Sequence, residues 1–293
     1  LLKYLKEGNL DKYVTGNGGA SDILYHGKKL AKKVTFSSLF GERGYRFSLV
    51  PMPNDLFDLQ DEVLFGTEER GLNVHNTIPS LQIYHFHDSS SSSPMRFPEI
   101  VEDCVRLREN ASNIGPVLLY IRNNAPDFYK EIVDTVRLVM PFFDDFILEP
   151  KTVGPKTVVD ISWHQKGSVY PMLPYTFSDG LLRFICLVTA LLQPSHPTTI
   201  IVDEPELGLC PASISLIAEL VKSVSKRTQV IAATQSPGFI NQFDCEDLIV
   251  VDRKDGASSF RRLQEKDFSA WLEDYSLGEL WEKDVLFSGQ QPD

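Results

Sequence analysis

The residues best placed to do chemistry are Asp203 and Glu204, which follow the apolar run Ile200-Ile201-Val202 and precede Pro205-Glu206. An unbroken apolar run of this kind reads as a strand buried on both faces. Two carboxylates directly after it lie at the strand's C-terminal edge, where open α/β sheets bind ligands. An acid in that position can hold Mg²⁺ through water, and a second can polarise a water that attacks a terminal phosphate. Asp203 suits the first role and Glu204 the second. The same residues also describe a strand that ends in a solvated acidic turn. Glu206 is close enough in sequence to position its neighbours and is assigned nothing more.

Two further groups lie on either side. Phe177-Ser178-Asp179-Gly180-Leu181-Leu182-Arg183 places Ser and Gly at the start of a helix. Ser is a good N-cap, and the free N–H groups of such a turn bind anions. A plain capped helix has the same sequence. Ala232-Ala233-Thr234-Gln235-Ser236-Pro237 ends the next apolar strand. The Gln235 amide there could reach a phosphate beside Glu204, or Pro237 could simply end the strand.

These residues need a scaffold to bring them together. The pattern predicts a helix near 179–192, a strand at Thr199–Val202, a helix near 211–225, and strands at Gln229–Ala233 and Leu248–Val251. Apolar strands alternating with helices indicate a parallel sheet covered on both faces. Upstream the periodicity is two. Val34, Phe36 and Leu39, then Tyr45, Phe47 and Leu49, alternate around Gly41-Glu42-Arg43-Gly44, with further strands at Phe57–Phe65 and Leu81–Phe86. Residues 1–14 read as the end of an amphipathic helix carrying Leu2, Leu5 and Leu10, broken by Thr15-Gly16-Asn17-Gly18-Gly19. Ser89 to Ser93 reads as a mobile loop. Residues 99–140 read as helical, and Phe142–Leu148 and Thr157–Trp163 as strands. Trp271, Tyr275, Leu280 and Trp281 read as a packed C-terminal helix. The fold class is α/β: an antiparallel β lobe over 1–98, a helical insertion over 99–141 and a parallel α/β lobe over 142–293.

Composition narrows the function classes. At roughly 100–200 residues per domain, 293 residues make one large or two modest domains. The net charge of −11 disfavours a whole-surface grip on nucleic acid. Lys28-Lys29 and Lys32-Lys33 still form a local basic cluster, suited to phosphates or to a solvated strand edge. No stretch reaches the roughly 18 apolar residues of a membrane span, and Leu-Leu-Lys-Tyr-Leu-Lys-Glu-Gly at the start lacks a signal-peptide core. Cys104, Cys186, Cys210 and Cys245 are scattered without a CxxC pair. That argues against a zinc or disulfide framework and for a reduced, cytoplasmic protein. His85 and His87 alternate beside Asp88, a pattern that serves a metal or an ordinary strand edge.

In order and spacing, the three groups resemble the second half of an ABC-type ATPase. The resemblance narrows to the RecF/OLD/SMC-like ATPases of bacteria, described as AAA-family ATP-binding proteins. Tyr84-His85-Phe86-His87-Asp88, Asp203-Glu204-Pro205-Glu206-Leu207-Gly208-Leu209 and Tyr275-Ser276-Leu277-Gly278-Glu279-Leu280-Trp281 carry it. It implies a P-loop NTPase of ABC/SMC type with ATP and Mg²⁺ as cofactors. Ser178, Asp179 and Gly180 would form the signature motif, and Asp203 and Glu204 the Walker B acid and catalytic glutamate. Gly208 would lie in the D-loop and Gln235 at the switch position. It further implies a head-to-tail homodimer that sandwiches ATP, with an effector protein or DNA as partner and a role in DNA repair or phage defence. The alternative is a nucleotide-sensing or scaffold protein with little turnover. Cys210 and Gln235 stand where the family usually has histidine, and glutamine can donate a hydrogen bond but cannot titrate. No G-x-x-x-x-G-K-[ST] occurs in these residues. In the family that segment lies upstream of the stretch resembling 1–14. With Leu rather than Met at position 1, the sequence is expected to lack its first strands and, alone, to bind ATP weakly. Nuclease chemistry of the OLD type is not expected in cis, because no acidic metal-binding domain follows.

Overall fold

A computed structural model describes residues 4–5, 7–40, 43–65, 80–254 and 256–288. The chain divides into two units, 1–81 and 82–293.

The first unit is built on the predicted meander. β1 (Val34–Phe40), β2 (Arg43–Pro51) and β3 (Phe57–Phe65) pair antiparallel in that order, with Phe36 opposite Phe47 and Leu49 opposite Leu59. The alternation aims Tyr45, Phe47 and Leu49 at one face. There they pack with Val14, Ala20, Leu24 and Phe57 as a small core. The N-terminal helix differs from expectation. Gly8 and Asn9 interrupt it, and α1 runs from Leu10 through Thr15 to Gly16. Leu2 lies outside the described residues. The basic cluster is neutralised locally. Lys28 pairs with Asp55, Lys33 pairs with Asp61 at 3.2 Å, and Lys32 Nζ donates to the Lys28 carbonyl. Lys28 and Ser21, both bonded to Asp55, hold its carboxyl below the usual range. The cluster is not a strand edge: Lys28 and Lys29 lie in a one-turn helix, Gly27–Leu30, and Lys32 and Lys33 lie in the link before β1.

In the second unit a three-stranded sheet runs in the order β12 (Gln229–Ala233), β11 (Thr199–Asp203), β4 (Leu81–Tyr84). β11 and β12 are parallel, with Asp203 opposite Ala233. Helices α2 (Ile114–Asn124), α3 (Pro126–Val139), α4 (Asp179–Leu192) and α5 (Pro211–Ser225) pack in series, α4 touching both α3 and α5. From Phe184 to Leu192 every α4 residue is buried, so this helix is the centre of the core. Fully burying each large apolar side chain there stabilises the fold by about 1.5–3 kcal/mol. Gly115 lets α2 approach the sheet strand behind it. A Cβ at that position would lie 2.9 Å from the Val159 carbonyl.

The 99–140 stretch is less helical than predicted. Residues 99–100 form β5, 101–113 are irregular, and helix starts only at Ile114. Pro126 is the first residue of α3, where a missing N–H costs nothing. The strand predicted at Thr157–Trp163 is split at Asp160 into β8 (Lys156–Val159) and β9 (Ser162–Gln165). These join separate antiparallel sheets: β5-β8-β7 (β7 Lys151–Val153) and β10-β9-β6 (β10 Pro171–Met172, β6 Phe143–Ile147). The strand at Leu248–Val251 is β13 (Ile249–Lys254). It pairs antiparallel with β14 (Ala257–Arg262) rather than joining the parallel sheet. Behind this hairpin a C-terminal cluster includes Val250, Leu263, Phe268 and Leu280, with Trp271, Tyr275 and Trp281 packed against it. The predicted C-terminal helix is split: Trp271 lies in a one-turn helix at Ser269–Leu272, Tyr275 in the link, and Leu280 and Trp281 in α7 (Leu277–Glu282), which a capping box between Ser276 and Glu279 opens and against which the one-turn α6 (Pro237–Ile240) packs.

Candidate functional site

β11 ends at the predicted carboxylates, with Ile200 and Val202 buried and Asp203 half-buried at the edge, but Ile201 is only half-buried and its β12 neighbour Ile231 is exposed, so the sheet is not covered on both faces as the sequence predicts. Glu204 turns sharply out of the strand with φ +44, a left-handed conformation rarely adopted by a residue with a Cβ. Its N–H donates to the Ala233 carbonyl at 2.8 Å, which ties the turn to the end of β12. Such strain persists only where surrounding contacts over-determine it, and it concentrates at working sites. Two residues on, the Thr234 hydroxyl donates to Glu206 Oε1 at 2.6 Å and accepts from the Ser236 N–H at 3.0 Å. The Asp-Glu turn and the Thr-Gln-Ser turn are therefore bound into one unit, with Gln235 exposed at its tip.

The serine-glycine turn lies at the start of α4. Ser178 Oγ caps the helix by accepting from the Leu181 N–H at 3.3 Å. Behind it Phe143, Trp163 and Phe177 stack, with centroids 5.8 and 5.3 Å apart, and Trp163 Nε1 donates to Thr176 Oγ1. Gly180 packs directly on the Gly208 carbonyl. Gly208, at φ +73, leaves room for the Arg183 guanidinium. Ser178 and Asp179 share no hydrogen bond with Asp203 or Glu204 among the described residues. The turn is brought to the loop after the carboxylates through Gly180 and Gly208, not to the carboxylates themselves.

Two arginines that sequence reasoning missed hold these pieces. Arg183 Nε donates to the Phe86 carbonyl at 3.0 Å, while its terminal nitrogens donate to the carbonyls of Leu207 and His87. A lone cation at the head of an otherwise apolar helix was the available signal. Arg96 donates to the carbonyls of Ser89, Ser90, Pro174 and Phe177 and pairs with Asp179 at 2.7 Å. The serine run is accordingly no mobile loop. Ser89 and Ser93 are buried, and Ser93 Oγ donates to the Asp88 carbonyl. Nothing in the local sequence marks Arg96 as the clamp.

His85 and His87 do converge on a carboxylate, but it is Asp203. His85 Nδ1 and His87 Nε2 lie 3.7 and 3.9 Å from Asp203 Oδ2. Asp88 instead accepts from the Ser90 hydroxyl and N–H, which hold its carboxyl below the usual range. β4 ends at Tyr84, two residues short of the predicted strand, but its in-and-out alternation continues through His87. Tyr84 and Phe86 point into the core, and the two imidazoles point out. Tyr84 is anchored by the Gln193 amide, and burial pushes its hydroxyl up to about 12. Cys210 precedes α5 with Sγ 3.2 Å from Ser213 Oγ, and that contact lowers its thiol from the usual range.

A half-exposed carboxylate at a strand edge suits a hydrated Mg²⁺, and Asp203 has that chemistry. The N–H groups at the head of α4 suit a phosphate. A phosphate cradle of the G-x-x-x-x-G-K-[ST] kind is not among these residues. No helix among the described residues is long and apolar enough to cross a membrane.

Comparison with known proteins identifies the fold and the family. An SMC head crystallised with the C-winged helix domain of ScpA superimposes with a TM-score of 0.59 at 15% identity, over 92% of this chain and 86% of that one. An SMC head with an extended coiled coil from Pyrococcus furiosus, bound to the C-terminal domain of ScpA, gives 0.54 at 14% identity, over 93% and 88%. At these identities the likeness shows the fold alone, and the fold is that of the SMC head ATPase domains. No curated protein matches the chain. With residues 3–241 matched, the chain belongs to the family described as "AAA domain, putative AbiEii toxin, Type IV TA system".

Proposed function

We propose that the protein binds and hydrolyses ATP and that nucleotide drives head-to-tail pairing of two copies, a two-state switch. The observation that carries this reading is the strained Glu204 turn beside Asp203, locked to the Thr234–Ser236 turn through Ala233 and Glu206. Asp203 would hold Mg²⁺, which supplies charge neutralisation at the phosphates when bound. Glu204, pushed out of the strand by its positive φ, holds the attacking water and takes its proton. Gln235 donates an amide hydrogen bond toward the terminal phosphate. Ser178 and Gly180, with the N–H groups of the capped α4 terminus, would close over nucleotide held by the other copy, with Asp179 fixed by Arg96 to keep that turn in place. Domain roles follow: 1–98 as the β-rich lobe, 99–141 as the helical insertion, and 142–293 as the lobe carrying these motifs. An effector protein or DNA, in DNA repair or phage defence within the cytoplasm, is the output consistent with the family.

Sedimentation of the full-length protein tests the switch. A Glu204→Gln variant with ATP and Mg²⁺ should sediment as a dimer, and Ser178→Arg added to it should restore the monomer. A mass indifferent to ATP in both would end the pairing reading. One observation favours a low-turnover sensor instead. Gln235 replaces a titratable side chain at the switch turn, which would favour nucleotide holding over rapid hydrolysis.

A further inference from the structure

We propose that His85, His87 and Asp203 form a binding site for a divalent transition-metal ion that prefers imidazole, with Co²⁺ and Zn²⁺ as its probes. Metal affinity here needs no nucleotide. The consequence that such an ion would compete with Mg²⁺ for Asp203 rests on the function proposed above.

The geometry is that of a facial set of ligands. One nitrogen from each imidazole and one Asp203 oxygen all lie within 4.8 Å of one another. Zinc-type ions bond nitrogen and oxygen at about 2.0–2.2 Å, which sets neighbouring ligand atoms roughly 3.3 Å apart in a tetrahedron. The separations of 3.7 and 3.9 Å from the carboxylate need only small side-chain rotations to close on one centre. Two imidazoles and one carboxylate on a single side leave the remaining positions open, the pattern of ions that bind substrate or water. All three side chains are accessible, at 51%, 43% and 41% exposure, so an ion can enter without opening the core.

The backbone beneath the ligands is fixed on every side. The buried Tyr84 and Phe86 anchor alternate positions, and the His85 N–H donates to the Glu109 carbonyl at 2.9 Å. Arg183 holds the carbonyls of Phe86 and His87, and Asp203 is paired in register with Ala233. His85 and His87 follow directly on β4 and Asp203 ends β11, and ligands on backbone tied down in this way lose little freedom when a metal binds. The competing interaction is weak. His87 Nε2 lies 3.3 Å from the Asp203 carbonyl, a long hydrogen bond that a metal at that nitrogen would replace.

The test is a Co²⁺ titration of the full-length protein without nucleotide, followed by visible absorption. Ligand-field bands should grow to one equivalent and be bleached by Zn²⁺. His85→Ala, His87→Ala and Asp203→Asn should each weaken binding about tenfold or more. Asp88→Asn, which removes the carboxylate nearest in sequence, should leave it unchanged. Zn²⁺ should also raise the melting temperature of the parent and not that of the double histidine variant, which loses only exposed side chains and keeps the core. Absence of saturable bands, or parental affinity in the double variant, would overturn the site. Turnover is not read, so failure of the metal site and failure of the ATPase reading are distinguishable.

Discussion

The Thr234 hydroxyl donates to Glu206 Oε1 at 2.6 Å, joining the loop after β11 to the loop after β12. The other Glu206 oxygen is buried without a hydrogen-bond partner among the described residues, so Thr234 is the contact that satisfies this side chain. The bond couples the turn bearing Glu204 to the turn bearing Gln235. A hydrogen bond to a charged group contributes about 1.5–3 kcal/mol, and its loss leaves the acid buried and unmet. Thr234→Val should therefore lower stability by about 2 kcal/mol in urea unfolding. Thr234→Ser, which keeps the hydroxyl, should restore most of it. If Val and Ser variants unfold alike, the coupling is not made by this bond.

Gly180 and Gly208 allow the head of α4 to touch the loop after Glu204. A Cβ on Gly180 would collide with the Gly208 carbonyl, a backbone atom that cannot swing aside. Gly180→Ala should cost about 1–3 kcal/mol of stability, as overpacking does. Gly16, at the end of α1 with nothing within 4 Å of where a Cβ would sit, is the control. Gly16→Ala should be neutral or slightly stabilising. Equal melting temperatures for the two variants would contradict the close approach.

Cys210 should be the most reactive thiol. It is exposed, and the Ser213 contact lowers its pKa, so more thiolate is present at neutral pH than for an ordinary cysteine. Cys186 is the opposite case, fully buried with its thiol pushed up. Iodoacetamide labelling followed by peptide mass mapping should modify Cys210 first, and Ser213→Ala should slow that reaction. The rate should fall as pH drops through the lowered Cys210 pKa, at lower pH than for an unperturbed thiol. Preferential labelling of Cys186 would contradict the structure.

Much of the scaffold was legible in the sequence because its signals were local. The helices at 179–192 and 211–225 and the strand at 229–233 carry clean periodicity, and β1 to β3 alternate at period two. Local pattern does not report which strands share a sheet. Leu248–Val251 has the apolar composition of a parallel strand, yet the strand it opens, Ile249–Lys254, pairs antiparallel with Ala257–Arg262. The candidate residues Asp203, Glu204 and Gln235 were legible as neighbours because their strands pair in register. The meeting of His85 and His87 with Asp203 was not, since it depends on β4 and β11 lying side by side across more than a hundred residues. The roles of Arg96 and Arg183 were hidden for the same reason. Their partners are backbone carbonyls from distant segments, and backbone carbonyls have no sequence signature.

The most direct test of the central claim is single-turnover hydrolysis of ATP by the full-length protein beside its Glu204→Gln variant. Glu204, set at φ +44 and tied to Ala233, is assigned the water and its proton. Removing a positioned general base typically slows reaction by roughly 10²–10⁴-fold. A loss of that size, with ATP binding retained, is the expected result. Equal single-turnover rates in the two proteins would contradict the role given to Glu204.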